Sequence, residues 1–105
     1  MAISTAIEEA VHRLVREANP RKIILFGSRA RGDDTGESDL DFLVILPEIK
    51  DRRAEMARLQ ACLSGLGIPA DVLVFSVLQV EKWGDVPGTI LYPALRQGVL
   101  LYNAA

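Results

Sequence analysis

The sequence predicts a mixed α/β fold, a small β-sheet with helices packed on it, in a single domain over residues 1–105. Apolar residues recur at helical spacing over residues 3–18, and three short apolar runs, at 22–27, 40–46 and 70–75, are bounded by Gly and Pro. Between the second and third runs lies a segment long enough for a crossover helix. The predicted order is α-β-(short α)-β-α-β-α-α-β, the pattern of a sheet with helices laid on it.

The first helix places Ile3, Ile7, Val11, Leu14, Val15 and Ala18 on one stripe, with Glu8 and Glu9 on the wet side. Thr5 and Glu8 have capping-box spacing, with Ser4 an equal candidate for the cap. Asn19-Pro20 ends the helix. Lys22 to Gly27 (KIILFG) reads as a buried strand that Gly27-Ser28 breaks, and Leu40 to Leu46 (LDFLVIL) as a second that Pro47 stops. Asp51 is positioned to cap a helix reaching about Leu63, with Met56, Leu59, Leu63 and Leu66 as its apolar positions. Ala70 to Phe75 (ADVLVF) is the third strand. Short helices follow at 76–83 and 89–97, the second closed by Gly98 with Arg96 near its C-terminus, and 99–102 adds an edge strand.

Composition excludes several classes. Half the residues are hydrophobic and a quarter charged, which argues against disorder. No apolar run reaches the roughly 20 residues of a membrane span, and Met1-Ala-Ile-Ser-Thr lacks the basic and apolar segments of a signal peptide. Cys62 is the only cysteine, so no disulfide framework or thiolate zinc site is expected. A cytoplasmic protein is the economical expectation. The net charge of −2 offers no basic track for nucleic acid. The charge is uneven, however: from Arg29 to Asp41 five acids stand against two bases. Such a cluster beside apolar strands either faces water or holds a cation.

Three elements are expected to converge at one end of the sheet. Gly27-Ser28 ends the first strand and opens a short helix over Ser28 to Arg31, whose backbone N–H groups suit phosphate oxygens. Gly27 lets the backbone approach closely and the Ser28 hydroxyl adds a donor, although Gly-Ser is also a common turn. Asp39 and Asp41 stand two apart at the start of the second strand. Their side chains then share a face, with Cα atoms roughly 6.5–7 Å apart. Carboxylates so placed can hold one metal ion or bridge two about 3.5–4 Å apart. Asp71 sits one residue into the third strand, where it is either an edge carboxylate or a third ligand. An antiparallel first pair and a parallel crossover bring Asp71 to the same end as Gly27, Asp39 and Asp41. Arg29 and Arg31 either offset charge on a leaving group or are solvated bases. His12 is expected at the surface, Cys62 in core packing, and Trp83 as a core plug or docking residue.

Gly27-Ser28, ten residues, then Asp39-Leu40-Asp41 resembles the signature of the DNA polymerase beta-like nucleotidyltransferases. The stretch GSRARGDDTGESDLDFLV is similar to their minimal nucleotidyltransferase branch, Asp71 in ADVLVF to its third aspartate, and GTILYPALRQGVLLY to its closing segment. The resemblance implies the polymerase beta-like fold, ATP as substrate, and Mg²⁺ held by Asp39, Asp41 and Asp71. It also implies a nucleotide cradle at Gly27 and Ser28, assisted by Arg29 and Arg31. In that branch the usual partner is a small helical HEPN-domain toxin, and the resemblance implies transfer of AMP to a toxin tyrosine, an antitoxin activity. Only Asn103, Ala104 and Ala105 follow Tyr102, so acceptor recognition is expected to come from a partner. A binding antitoxin that occludes its partner without turnover, and a transferase acting on a small molecule, remain as alternatives.

Overall fold

A computed structural model describes residues 3–27 and 39–104. Among them are four helices, α1 (Ile3–Ala18), α2 (Arg52–Cys62), α3 (Val77–Trp83) and α4 (Leu91–Gln97), and four strands, β1 (Lys22–Phe26), β2 (Leu40–Leu46), β3 (Ala70–Ser76) and β4 (Val99–Asn103). The strands form one sheet in the order β3-β2-β1-β4. β1 runs antiparallel to β2, and β2 runs parallel to β3 through the α2 crossover, both as predicted; the expected edge strand β4 pairs antiparallel with β1. The predicted short helix at 28–31 lies outside the described residues.

Alternation along β2 divides the core in two. Leu40, Phe42, Val44 and Leu46 point to one face with Ala6, Ala10, Leu14 and Leu59. Leu43 and Ile45 point to the other, under Leu91 and Ala94 of α4 and Val77 and Val80 of α3. Burial of both faces explains why β2 reads as a nearly continuous apolar run. On α1 the fully buried line is Ala6, Ala10 and Leu14, at i, i+4, i+8, and the bulkier Ile7, Val11 and Val15 flank it.

Local chemistry fixes the element ends. Asn19 turns left-handed at φ 48°, its N–H donating to Val15 O at 2.9 Å, and Pro20 follows. Ser4 and Thr5 lie inside α1 and do not cap it, because the helix already runs from Ile3. Asp51 caps α2 by accepting from Ala54 N at 3.1 Å. Leu63 and Leu66 are buried, but from the turn beyond α2. Ser76 and Gln79 form a reciprocal capping box on α3. α4 starts at Leu91 instead of residue 89, since Thr89 spends its hydroxyl on the carbonyls of Trp83 and Val86. Gly98 closes α4 with extended backbone, not a left-handed turn. It is glycine for space: a Cβ would strike Ala94 O and Ile24 and stand 3.0 Å from Leu25 O.

The two edges of the sheet differ. Along β3 the Gln60 amide donates to Ala70 O and accepts from Val72 N at 3.0 Å, while Arg52 Nε donates to Val74 O at 2.8 Å. α2 therefore covers a strand edge that would otherwise invite pairing. No described helix is long and apolar enough to cross a membrane.

Candidate active site

β2 and β3 begin side by side, held by Leu40 N donating to Pro69 O at 2.9 Å. In the parallel register Asp41 is the direct partner of Asp71. On its other side Asp41 pairs with Phe26, the last residue of β1, so Gly27 follows immediately beside it. Asp39 lies just before β2 and is exposed, as is Asp71, whereas Asp41 is half-buried. The predicted convergence of Gly27, Asp39, Asp41 and Asp71 at one end of the sheet is thus present. Ser28, Arg29 and Arg31 lie outside the described residues.

Gly27 has a positive φ of 82°, in the region that disfavours a side chain, and a Cβ there would collide with Asp41 Oδ2 and sit 3.3 Å from its Cγ. The turn after β1 thereby brings bare backbone against the central carboxylate. Burial pushes the Asp41 carboxyl above its ordinary value of 3.8, and the negative charges of Asp71 and Asp39 push it further. These acids repel one another and offer hard oxygen donors, a set that fits Mg²⁺. Among the described residues no group of three or more His, Cys, Asp or Glu side chains is placed to hold one ion, so the fit rests on the chemistry of the donors and on the Asp41–Asp71 pairing.

Asp41 and Asp71 lie on the sheet face of Leu43 and Ile45. Beside Gly27 that face continues into a cavity of about 240 Å³ lined by Phe26, Ile90, Pro93, Ala94 and Gln97. From the sequence Ile90, Pro93 and Gln97 read only as positions within the helix at 89–97. Larger depressions lie between α2 and the 64–70 turn (about 750 Å³) and beside Arg21 and Lys22 at the opposite end of the sheet (about 460 Å³), and none of the three aspartates lines either. Trp83 is not a core plug; it is 43% exposed, with Lys82 Nζ 5.2 Å from its ring centre. His12 is exposed and Cys62 packs half-buried against the larger core, both as expected.

Asp39, Asp41 and Asp71 thus stand at one end of a mixed four-stranded sheet, beside the Gly27 turn. The chain belongs to the polymerase beta nucleotidyltransferase family, whose description matches residues 8–105. A "putative protein adenylyltransferase" of Methanocaldococcus jannaschii is 55% identical over 42 residues, covering 38% of this chain and 42% of that protein. The match therefore spans about two-fifths of that relative. Among solved structures, a "putative nucleotidyltransferase" from Sulfolobus solfataricus superposes with TM-score 0.69 at 21% identity, over 95% of this chain and 79% of that one. A toxin-antitoxin structure with AMP-PNP gives 0.63 at 25% identity, over 91% and 73%. A mutant of the MntA-HpeT toxin-antitoxin pair gives 0.64 at 19% identity, over 91% and 71%. These likenesses agree with the polymerase beta-like fold.

Proposed function

We propose that the chain transfers AMP from ATP, with Mg²⁺, to a tyrosine hydroxyl of a HEPN-type toxin in the cytoplasm and so neutralises it. The observation that carries this reading is the Asp41–Asp71 pairing, with Asp39 and the Gly27 backbone on either side. A cluster of like charges at a half-buried strand start costs stability unless a cation shares it. The similarity to a protein named as an adenylyltransferase and to a toxin-antitoxin structure with an ATP analogue supports the acceptor and donor classes.

Asp39 and Asp41 would hold Mg²⁺, with Asp71 completing the set. When bound, the ion supplies charge neutralisation at the triphosphate and polarises the α-phosphorus. The Gly27 N–H and the Ser28 hydroxyl are assigned to the distal phosphates, with Arg29 and Arg31 available to the leaving group. Asp71 is assigned to orient the acceptor hydroxyl and take its proton. The hydroxyl oxygen then bonds the α-phosphorus, the bond from that phosphorus to the bridging oxygen of the β-phosphate breaks, and pyrophosphate leaves.

Incubating the chain with ATP, Mg²⁺ and a HEPN-domain partner, then weighing the intact partner, tests the proposal. A mass gain of one or more AMP groups is expected. Neutralised partner of unchanged mass would mean occlusion without chemistry, and would overturn the enzymatic reading.

A further inference from the structure

At the end of the sheet opposite the aspartates, a cavity of about 460 Å³ opens between α3 and the start of β1. Ile45, Val77 and Val80 give it apolar walls. Arg21 and Lys22 bring two bases to it from the start of β1, and Glu81 brings one acid from α3. No ion pair joins Glu81 to either base within the chain. The two most exposed large apolar side chains among the described residues, Leu78 at 71% and Leu100 at 53%, belong to the same side of the molecule. Leu78 precedes Glu81 by three residues on α3, so the two are neighbours on the helix surface. Leu100 is the register partner of Ile24, which lies in the core cluster under α4, and directly opposite strand residues share a face.

We propose that two copies of the chain meet on this face about a two-fold axis, with Leu78 of each copy seated at the other's apolar cavity and Glu81 of each facing the other's Arg21 and Lys22. The make-up of the patch selects a second copy over another partner. A two-fold contact lays one patch against itself, so the same patch must carry a projection and a recess, and charges of both signs. Leu78 is the projection, and the cavity walled by Ile45, Val77 and Val80 is the recess. Glu81 and the two bases are the two signs, held on different elements. A patch of a single sign would instead fit an oppositely charged partner. Association on this face also takes Leu78 and Leu100 out of water. The aspartates stand at the other end of the sheet and stay open in both copies, so association and nucleotidyl transfer are independent of each other.

Sedimentation velocity of the full chain, from micromolar to sub-millimolar concentration, tests the proposal. All the substituted side chains are exposed, and an unaltered melting temperature verifies that each variant keeps its fold. The wild type should pass from monomer to dimer as concentration rises, and Leu78→Glu should weaken the dimer at least about 10-fold. Glu81→Lys sets like charges together and should weaken it by about 3- to 10-fold, as should the double variant Arg21→Glu/Lys22→Glu. An equal mixture of those two charge-reversed chains should associate more tightly than either alone, because both crossed contacts then join opposite charges. Charges that acted only within one chain would give no such rescue. A wild type that stays monomeric throughout, a dimer that Leu78→Glu leaves intact, or a mixture that associates no better than its components would each overturn the proposal.

Discussion

Asp41 and Asp71 are register partners at the start of the parallel β2–β3 pair, and the Gly27 backbone closes on the Asp41 carboxylate from the β1 side. Asp41 is therefore the middle of the acidic end, crowded by Asp39 and Asp71 and partly shielded from water. Its ionisation is opposed by its surroundings, and several consequences can be measured.

Burial, then Asp71, then Asp39 raise the Asp41 carboxyl above 3.8. A carboxyl raised on folding binds its proton more tightly in the fold than in the unfolded chain. Its contribution to stability is complete below the unfolded value and is lost as pH rises through the raised folded value. At neutral pH without divalent metal, the ionised Asp41 opposes folding. Asp41→Asn should therefore melt above the wild type at pH 7 in chelator, with the gap closing as pH falls through the raised folded value and closed below 3.8. A lower melting temperature at pH 7 would contradict this. The same variant should transfer at least about 100-fold more slowly, because an amide is a poor substitute for a carboxylate ligand.

Gly27→Ala and Gly98→Ala should fail for different reasons. At Gly27 the left-handed φ costs an alanine about 1–2 kcal/mol, and its methyl displaces the Asp41 carboxylate. Stability and transfer should both fall. At Gly98 the φ is ordinary and the obstacle is Ala94 O and Ile24, so stability should drop by about 1–3 kcal/mol, as for overpacking. Nucleotide affinity of the folded fraction should stay within twofold. Denaturant unfolding beside nucleotide titration separates the two, and equal loss of affinity in both variants would refute the distinction.

Gln60→Ala uncovers the β3 edge by removing both hydrogen bonds of its amide. The expected cost is about 1–2 kcal/mol, with faster aggregation on heating as the edge becomes available for pairing. Light scattering during a thermal ramp reads the second effect; unchanged scattering at a lowered melting temperature would mean that the edge is protected by other means.

The first three strands and their directions were legible because period and punctuation agree: apolar runs are bounded at Gly27, Pro47 and Pro69, and the 51–63 segment is long enough for a crossover. The acidic end was legible for the same reason, since strand direction alone brings Asp71 to Asp41. Other features could not be read from periodicity. Ala6 and Ala10 are as fully buried on α1 as Leu14, yet a hydrophobic stripe is sought among large side chains, so Ile7 and Val11 stood out first. The capping of β3 by Gln60 and the cavity at Gln97 arise from contacts between elements, which local spacing does not encode. Gly98 was expected from the helix-closing rule, whereas its reason is the close approach of Ile24 and Ala94.

The central claim is that Asp39, Asp41 and Asp71 act as one metal–nucleotide site. Calorimetric titration of a non-hydrolysable ATP analogue into the chain, with and without Mg²⁺, tests it most directly, using the wild type and the single Asp→Asn variants. The account predicts Mg²⁺-dependent binding by the wild type, lost or weakened at least about 10-fold in Asp39→Asn and Asp41→Asn. Binding of equal strength in the wild type and both variants, or binding indifferent to Mg²⁺, would contradict it.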